Sequence, residues 1–340
     1  MEKLKIPFCA LIAAVMLALC CLLFSQKKDN EVKIISSATA KTSITRISEN
    51  ASETNSVEER VEENVEAVPR KTVSVMIDSE KIEMAAEEYI VGVVAGEVYP
   101  TFSPEALKAQ AVAARTYLYY KMDGGGCAKG ADICTDSKHC QAYKSDEKMR
   151  SQWGENYEKY LKNIREAVES TAGEILTYDS KPICALYHSS SVGKTEDCVS
   201  VFGGNRPYLV SVDTPIDTEK YTQEKSFTKD EFVSKINAAF PDLSIDKIDL
   251  KIISFTDAGR VSTVKIGEKS IKATALRKAL DLRSTDFTFR IADGKIIFTQ
   301  RGYGHGVGMS QHGAQALALS GKTYSEILLH YYTGCEIEKR

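Results

Sequence analysis

The first seventy residues lack the means to build a globular core, so any fold is confined to the chain beyond them. Ile6–Phe24 is uncharged and almost wholly apolar, with Lys3 and Lys5 before it and Lys27 and Lys28 after. About twenty such residues cross a hydrocarbon core of ~30 Å. A cleaved signal peptide has a shorter apolar run and a small-x-small cleavage site. No such site follows Leu22, and the bulky Leu19 spoils a lipobox ahead of Cys20. An uncleaved transmembrane anchor over 1–25 is therefore expected. Basic residues on both flanks leave its orientation open by charge alone. Residues 26–70 contain no Phe, Trp or Tyr and are rich in Ser, Thr, Glu and Asn. Such a stretch buries too little to offset its ordering entropy, which predicts a flexible linker with a typical span of ~35–40 Å. Val57, Val61, Val65 and Val68 are spaced like one helix face. They read either as a short contact helix or as part of a solvated tether.

The remaining residues, 71–340, carry the fold, and a hydrophobic content of 43% is ample for a core. The net charge of −3 gives no electrostatic case for a nucleic-acid partner, which would normally call for a basic surface. Thr72–Ile77 and Ile82–Met84 alternate around a polar turn and predict a hairpin. Ala86–Val94 reads as a short helix delivering Glu97 at its exit. Ser103 followed by Pro104 starts another helix, whose Ala106, Ala109, Ala111, Ala113 and Ala114 allow close packing, and Gly124–Gly126 ends it. Further helices are expected near 155–171, 313–319 and 324–332, with paired strands at 175–178 and 183–187. Residues 227–300 read as helix, strands, helix, strands. The expected class is α+β: a two-lobed mixed catalytic region with an inserted α+β subdomain at about 227–300.

Glu97 stands alone among uncharged residues in Val93-Val94-Ala95-Gly96-Glu97-Val98-Tyr99-Pro100. A carboxylate in apolar surroundings is poorly solvated, its pKa rises, and it can serve as a general acid near neutral pH. The alternative is a residue that merely hydrogen-bonds the following turn. Two later clusters are polar and glycine-flanked: Tyr187-His188-Ser189-Ser190-Ser191-Val192-Gly193-Lys194-Thr195 and Gly302-Tyr303-Gly304-His305-Gly306-Val307-Gly308-Met309-Ser310-Gln311. The serines sit in no G-x-S-x-G elbow, so a serine hydrolase is disfavoured. The glycine run lacks the spacing and lysine of a phosphate loop; its glycines suit positive backbone angles and close approach to a glycan. Hydroxyls and an imidazole at His188, Ser189 and Ser190 suit hydrogen bonding to sugars. Gln311 and His305 are sugar ligands or satisfied structural groups. Glu196 and Asp197 read as an ordinary surface turn.

These two clusters, with Glu88–Glu97 and the helix Ala109–Tyr117, resemble the stage II sporulation protein D family over about residues 71–340. Val192 stands where that pattern has a glycine, and His312 where it has a tyrosine. The resemblance implies a membrane-anchored lytic transglycosylase that cleaves the β-1,4 bond between N-acetylmuramic acid and N-acetylglucosamine in peptidoglycan. It leaves 1,6-anhydro ends, with Glu97 as the catalytic acid. The resemblance also brings Gln141 and Tyr143, in a segment bordering the cleft, and Tyr187 into the expected substrate-binding set. It implies glycan strands free of stem peptides as substrate, during engulfment of the forespore. A wall amidase and a third engulfment membrane protein would be partners. The catalytic region would face the intermembrane space from the mother-cell membrane. The competing readings are a non-catalytic glycan-binding module that positions an amidase, and a hydrolase using water.

Of nine cysteines, six lie outside the anchor. Cys127, Cys134, His139 and Cys140 offer three thiolates and one imidazole within fourteen residues, a plausible tetrahedral structural zinc site. A disulfide or free thiols are the alternatives. Such a filled shell has no open position, so the chemistry would need no metal. Cys184 and Cys198 bracket the His188 loop and read as a pair or as two buried thiols.

Overall fold

The computed structural model describes residues 71–216 and 220–340. The expected anchor and linker lie outside the described residues, and among these no helix is long and apolar enough to cross a membrane. The architecture is mixed α+β. Strands β1 (Thr72–Ile77) and β2 (Glu80–Ala85) form an antiparallel hairpin. Its turn residues Asp78 and Ser79 both take positive φ. Helix α1 (Ala86–Glu97) follows at once, with Glu87 and Glu88 in its first turn, where negative charge favours the helix dipole. Helix α2 (Pro104–Asp123) starts with its proline in the first turn. Strand β3 (Ile133–Cys134) then joins β1 in parallel.

Helix α2 is the spine of the first two cores because alanines let it be approached from several sides. Leu107, Ala111, Ala114 and Leu118 pack into a first core with Tyr89, Ile90, Ile133 and Ile164. Ala109, Val112 and Ala113 pack into a second with Leu176, Met309, Ile327 and Tyr331. Between them Arg115 is fully buried. Its guanidinium grips the Glu87 carboxylate through two bonds of 2.8 and 2.6 Å. It also donates to the carbonyls of Glu174 and Val168, each at 3.1 Å. A buried charge is tolerable only when paired and hydrogen-bonded in this way.

Helices α3 (Asp146–Trp153) and α4 (Tyr157–Ser170) follow, joined by a single 3-10 turn. The sequence reading missed α3, which buries only Met149 and so lacks a periodic apolar face. Strand β4 (Glu174–Tyr178) pairs with β5 (Lys181–Pro182) around positive-φ Asp179 and Ser180. The expected strand 183–187 is shorter and later: β6 (Tyr187–His188). Strand β7 (Gly193–Lys194), the short helix α5 (Cys198–Phe202) and strand β8 (Asp213–Thr214) complete this stretch.

A third core belongs to residues 222–301. It contains β9 (Thr222–Thr228), α6 (Lys229–Ala239), β10 (Leu250–Phe255), β11 (Val261–Ile266), β12 (Lys269–Lys272), α7 (Ala273–Leu280), β13 (Phe287–Ala292) and β14 (Lys295–Arg301). Two three-stranded antiparallel sheets, ordered β10-β11-β12 and β13-β14-β9, enclose Phe232, Ile236, Val264, Leu276 and Phe298 with the two helices. The chain then returns through the glycine-rich segment to β15 (Met309–Ser310), which pairs in parallel with β6. The register sets Met309 opposite Tyr187 and Ser310 opposite His188. Helix α8 (Gln311–Leu319), capped by Ser310, starts immediately. Helix α9 (Tyr324–Tyr331) opens with a capping box, and β16 (Glu336–Lys339) closes the chain against β4.

Candidate active site

Glu97 is the last residue of α1. Its Oε1 accepts from the Ala142 backbone N–H at 2.7 Å, and its Oε2 accepts from Gln311 Nε2 at 3.2 Å. Gln311, on the first turn of α8, also reaches Gln110 of α2 at 3.4 Å. Burial raises the carboxyl pKa above the ordinary glutamate range, and the two donors pull it only partly back. The C-terminal end of a helix is electronegative and acts in the same direction as burial. Gly96 makes the geometry possible. A Cβ there would lie 2.9 Å from the Tyr143 nitrogen and 3.0 Å from the Ala142 carbonyl carbon. The backbone that delivers the Ala142 donor would have to move.

The carboxyl opens into a cleft of about 800 Å³. Tyr99, Phe102, Trp153, Tyr221, Tyr303 and His312 line it with ring surface, and Lys144 and Arg283 add two cations. Among the described residues lining this cleft, Glu97 is the sole carboxylate. A smaller cavity of about 180 Å³ lies on the inner side, lined by Glu97, Gln141, Tyr187, His188 and His305 among others.

The residues expected from the sequence are gathered here in different capacities. Ser189 and Ser190 line the cleft. His188 touches it, yet the residue is buried and both ring nitrogens are engaged inside, Nδ1 with Val307 O at 3.2 Å and Nε2 with Ser191 Oγ at 2.5 Å. Burial first, then the neighbouring His305 and Arg260, hold its pKa well below the ordinary imidazole value. Gln141 is buried, accepts from Tyr187 Oη at 2.7 Å and donates to Tyr89 Oη at 3.3 Å. Tyr143 is not among the cleft-lining residues; its ring stacks on Tyr89 at 5.8 Å and sits against Gly92. His305 Nδ1 accepts from Val307 N at 3.1 Å, and burial pushes its pKa down to about 4. Gln141 and His305 thus line the smaller cavity rather than the main cleft, and Tyr143 lines neither.

One further expectation is corrected. Glu196 is no surface residue: it is fully buried, bonded by Thr256 Oγ1 at 2.8 Å and facing Arg260 at 3.7 Å. Asp197 caps α5 instead. The glycines of the last motif, Gly302, Gly304, Gly306 and Gly308, all take the positive φ expected of them, Gly304 lines the cleft, and a Cβ on Gly304 would meet His188 Cβ at 2.8 Å. Cys184 and Cys198 are buried thiols, unpaired like the other outer cysteines. Val192 is not among the residues with positive φ, so its side chain imposes no backbone strain in place of glycine.

Sequence reasoning missed the aromatic and cationic lining. Tyr99 is 63% exposed and Tyr303 48%, and each sits within or beside one of the three motifs, which was the available signal. Trp153, Tyr221 and Arg283 come from segments with no motif. His312, a departure from the family pattern, does line the cleft, where its Nδ1 meets Tyr221 Oη at 2.9 Å.

Behind Ala142 lies the cysteine cluster. The ligand atoms of Cys127, Cys134, His139 and Cys140 all lie within 4.8 Å of one another. His139 Nδ1 is 3.3, 3.4 and 3.3 Å from the three sulfurs, and the Cys127 and Cys140 sulfurs are 3.8 Å apart. A tetrahedral zinc with ordinary bond lengths requires sulfur–sulfur edges of about 3.8 Å and sulfur–nitrogen edges of about 3.5 Å. The donor set fits such an ion.

Fold and site define a mixed α+β protein whose cleft is built around one desolvated carboxyl. Comparison with known proteins agrees with the motifs. The profile of the "Stage II sporulation protein" family matches residues 79–178. The chain is 41% identical over 257 residues to stage II sporulation protein D of Bacillus subtilis (strain 168), spanning 74% of each chain. It is 39% identical to the protein of that name from Bacillus amyloliquefaciens, again over 74% of each. A more distant likeness, 28% identity over 72% of this chain and 39% of the relative, is to the amidase enhancer of Bacillus subtilis. The chain belongs to the stage II sporulation protein D family.

The raised carboxyl makes a stability prediction. A group whose folded pKa exceeds its unfolded value binds more protons when folded. Its stabilising contribution is complete below the unfolded pKa of ~4.3 and is lost as pH rises through the folded value. Glu97→Gln removes that loss. Its thermal midpoint should exceed the wild-type midpoint at neutral pH, with the gap closing as pH falls through the raised folded pKa and gone below the unfolded value of ~4.3. Midpoints measured across that range check both sign and window; a variant less stable at neutral pH contradicts the desolvation of Glu97.

Proposed function

We propose that this protein is a lytic transglycosylase that cleaves the bond between N-acetylmuramic acid and N-acetylglucosamine in peptidoglycan glycan strands. The observation that carries the reading is the lone carboxyl of the cleft, Glu97, with a raised pKa and two orienting donors. Ordinary glycosidases need a second carboxylate as nucleophile or as base for water. Glu196, the nearest alternative in sequence to the His188 loop, is committed to Thr256 and Arg260.

One carboxyl suffices if the sugar attacks itself. Protonated Glu97 gives its proton to the glycosidic oxygen as the bond to the anomeric carbon breaks. The muramyl six-hydroxyl then bonds to that carbon and returns its proton to the Glu97 carboxylate. The 1,6-anhydro ring closes, and the acid is regenerated. An internal nucleophile supplies effective molarities of about 10⁵–10⁸ M, which replaces an external base-and-water arrangement. The Ala142 and Gln311 donors stabilise the carboxylate in the interval between the two transfers. Ring surfaces of Tyr99, Trp153 and Tyr303 offer apolar faces to sugar rings. Lys144 and Arg283 suit the free lactyl carboxylates of strands without stem peptides.

Cys127, Cys134, His139 and Cys140 would hold zinc as a structural ion. Bound there, it would contribute folding free energy to the segment ending at Ala142. Membership of this family and the expected anchor support action in engulfment, from the mother-cell membrane and facing the intermembrane space. A second reading is a non-catalytic glycan-binding module that positions a wall amidase. The likeness to an amidase enhancer favours it, and an amidase is in either case the partner we propose, with a third engulfment membrane protein.

Glu97→Gln should lose about 10²–10⁴-fold in turnover of stem-free strands while keeping its affinity for them. Mass spectrometry of the wild-type products should show anhydro ends; glycan binding without any products favours the second reading. Near-wild-type turnover in the variant removes Glu97 as the acid. Protein purified without added zinc should contain one metal ion per chain, and Cys134→Ser should lose it along with most activity. Metal-free, fully active wild-type protein contradicts the zinc assignment.

A further inference from the structure

The inserted subdomain sends one charged side chain back toward the cleft. Arg260 starts its run from the turn between β10 and β11 and is almost wholly buried. Its Nη2 donates to Ser191 Oγ at 2.6 Å, and its Nε lies 3.7 Å from Glu196 Oε1. Thr256, on the same turn, holds that Glu196 oxygen at 2.8 Å. Gly306 closes over the pair. A Cβ there would meet Arg260 Cζ at 2.8 Å and Glu196 Cγ at 3.0 Å, at a backbone φ of +89° that already favours glycine. The arrangement is not free of cost, since Glu196 Oε2 and Arg260 Nη1 have no hydrogen-bond partner among the described residues. A buried pair of this kind is weak evidence for net stability, so another reason for its presence is worth seeking.

That reason lies one residue further along. A guanidinium only donates, so Ser191 Oγ accepts from Arg260 and keeps a single hydrogen. That hydrogen goes to His188 Nε2, 2.5 Å away. On the other side of the ring, Val307 O can only accept, so His188 Nδ1 carries the ring proton. Ser189 and Ser190, between His188 and Ser191, form part of the cleft wall. Ser190 exchanges both backbone hydrogen bonds with Tyr303, at 3.0 and 2.8 Å.

We propose that Arg260 is a positioning residue: through Ser191 it keeps His188 Nε2 an acceptor, and so ties the inserted subdomain to the Ser189–Ser190 wall of the cleft. The proposal rests on the reading of this cleft as the catalytic one. Besides Arg260, the charged or titratable groups acting on His188 are His305 at a ring distance of 5.5 Å and Arg277 from α7, while Glu97 lines the same inner cavity as His188. Without Arg260, Ser191 is free to accept, and His188 can take a second proton at Nε2.

The test is imidazole nitrogen NMR on the full-length chain labelled with nitrogen-15 histidine, which has five histidines to assign. At about pH 5.5 an unperturbed imidazole is mostly charged. Wild-type His188 should be neutral there and protonated at Nδ1, and in a pH titration of the Arg260→Met variant, where burial and His305 still disfavour the cation, Nε2 protonation should set in at higher pH than in wild type. Arg260→Lys, which retains a charge and a donor, should return the wild-type onset. Turnover of glycan strands by Arg260→Met should fall about 10–100-fold through misplacement of the wall, with a much smaller change in KM. A merely structural Arg260 would lower the folded yield yet leave the His188 signals of the folded protein as in wild type, and that result overturns the proposal. Should Arg260→Met fail to fold, Glu196→Gln with Arg260→Met removes both charges and carries the same readout. The NMR result does not depend on cleavage, so an inactive wild-type protein counts against the proposed function alone.

Discussion

Everything around the site depends on holding one carboxyl in a place where water solvates it poorly. Glu97 reaches that place because α1 ends there, and three distant segments meet at its two oxygens: α1 itself, the Ala142 backbone and Gln311 of α8. Neither donor neutralises the charge. Both are neutral groups, so the carboxyl can hold or release a proton, as an acid that must later act as a base requires. A lysine or arginine in either position would have pinned it as an anion.

The rest of the fold serves this convergence. Alanines on α2 bring two cores onto a single helix, and the buried Arg115 joins α1, α4 and β4 through Glu87, Val168 and Glu174. The parallel pairing of β6 with β15 sets His188 beside Ser310 and starts α8 so that Gln311 meets Glu97. The cysteine cluster governs the other donor, because His139 and Cys140 immediately precede Gln141 and Ala142. The inserted subdomain contributes Arg283 to the cleft and Arg260 to the network behind it.

Glu97 and its exit from a helix were legible in the sequence, because a lone carboxylate in an apolar run is a strong local signal, whereas its bond to Gln311 was not. The cysteine cluster was legible for the same reason of local spacing. The mixed α+β class followed from alternating periodicities, although α3 escaped because a helix burying one residue has little periodicity to read. What stayed hidden was set by partners far along the chain. Glu196 looks like a surface residue until Arg260, sixty-four positions later, is brought against it. His188 and Gln141 look like free polar groups until Val307, Ser191, Tyr187 and Tyr89 are found against their polar atoms. Hydrogen-bond saturation of buried polar groups cannot be read from composition or local order.

The central claim is that a single carboxyl operates here with a nucleophile supplied by the substrate, so that water takes no part in the bond exchange. Digestion of stem-free glycan strands in oxygen-18-enriched water, followed by mass spectrometry of the new muramyl ends, tests this most directly. The account predicts anhydro ends carrying no oxygen-18. Reducing ends carrying one oxygen-18 atom each would contradict it and require a second, water-activating base in the cleft.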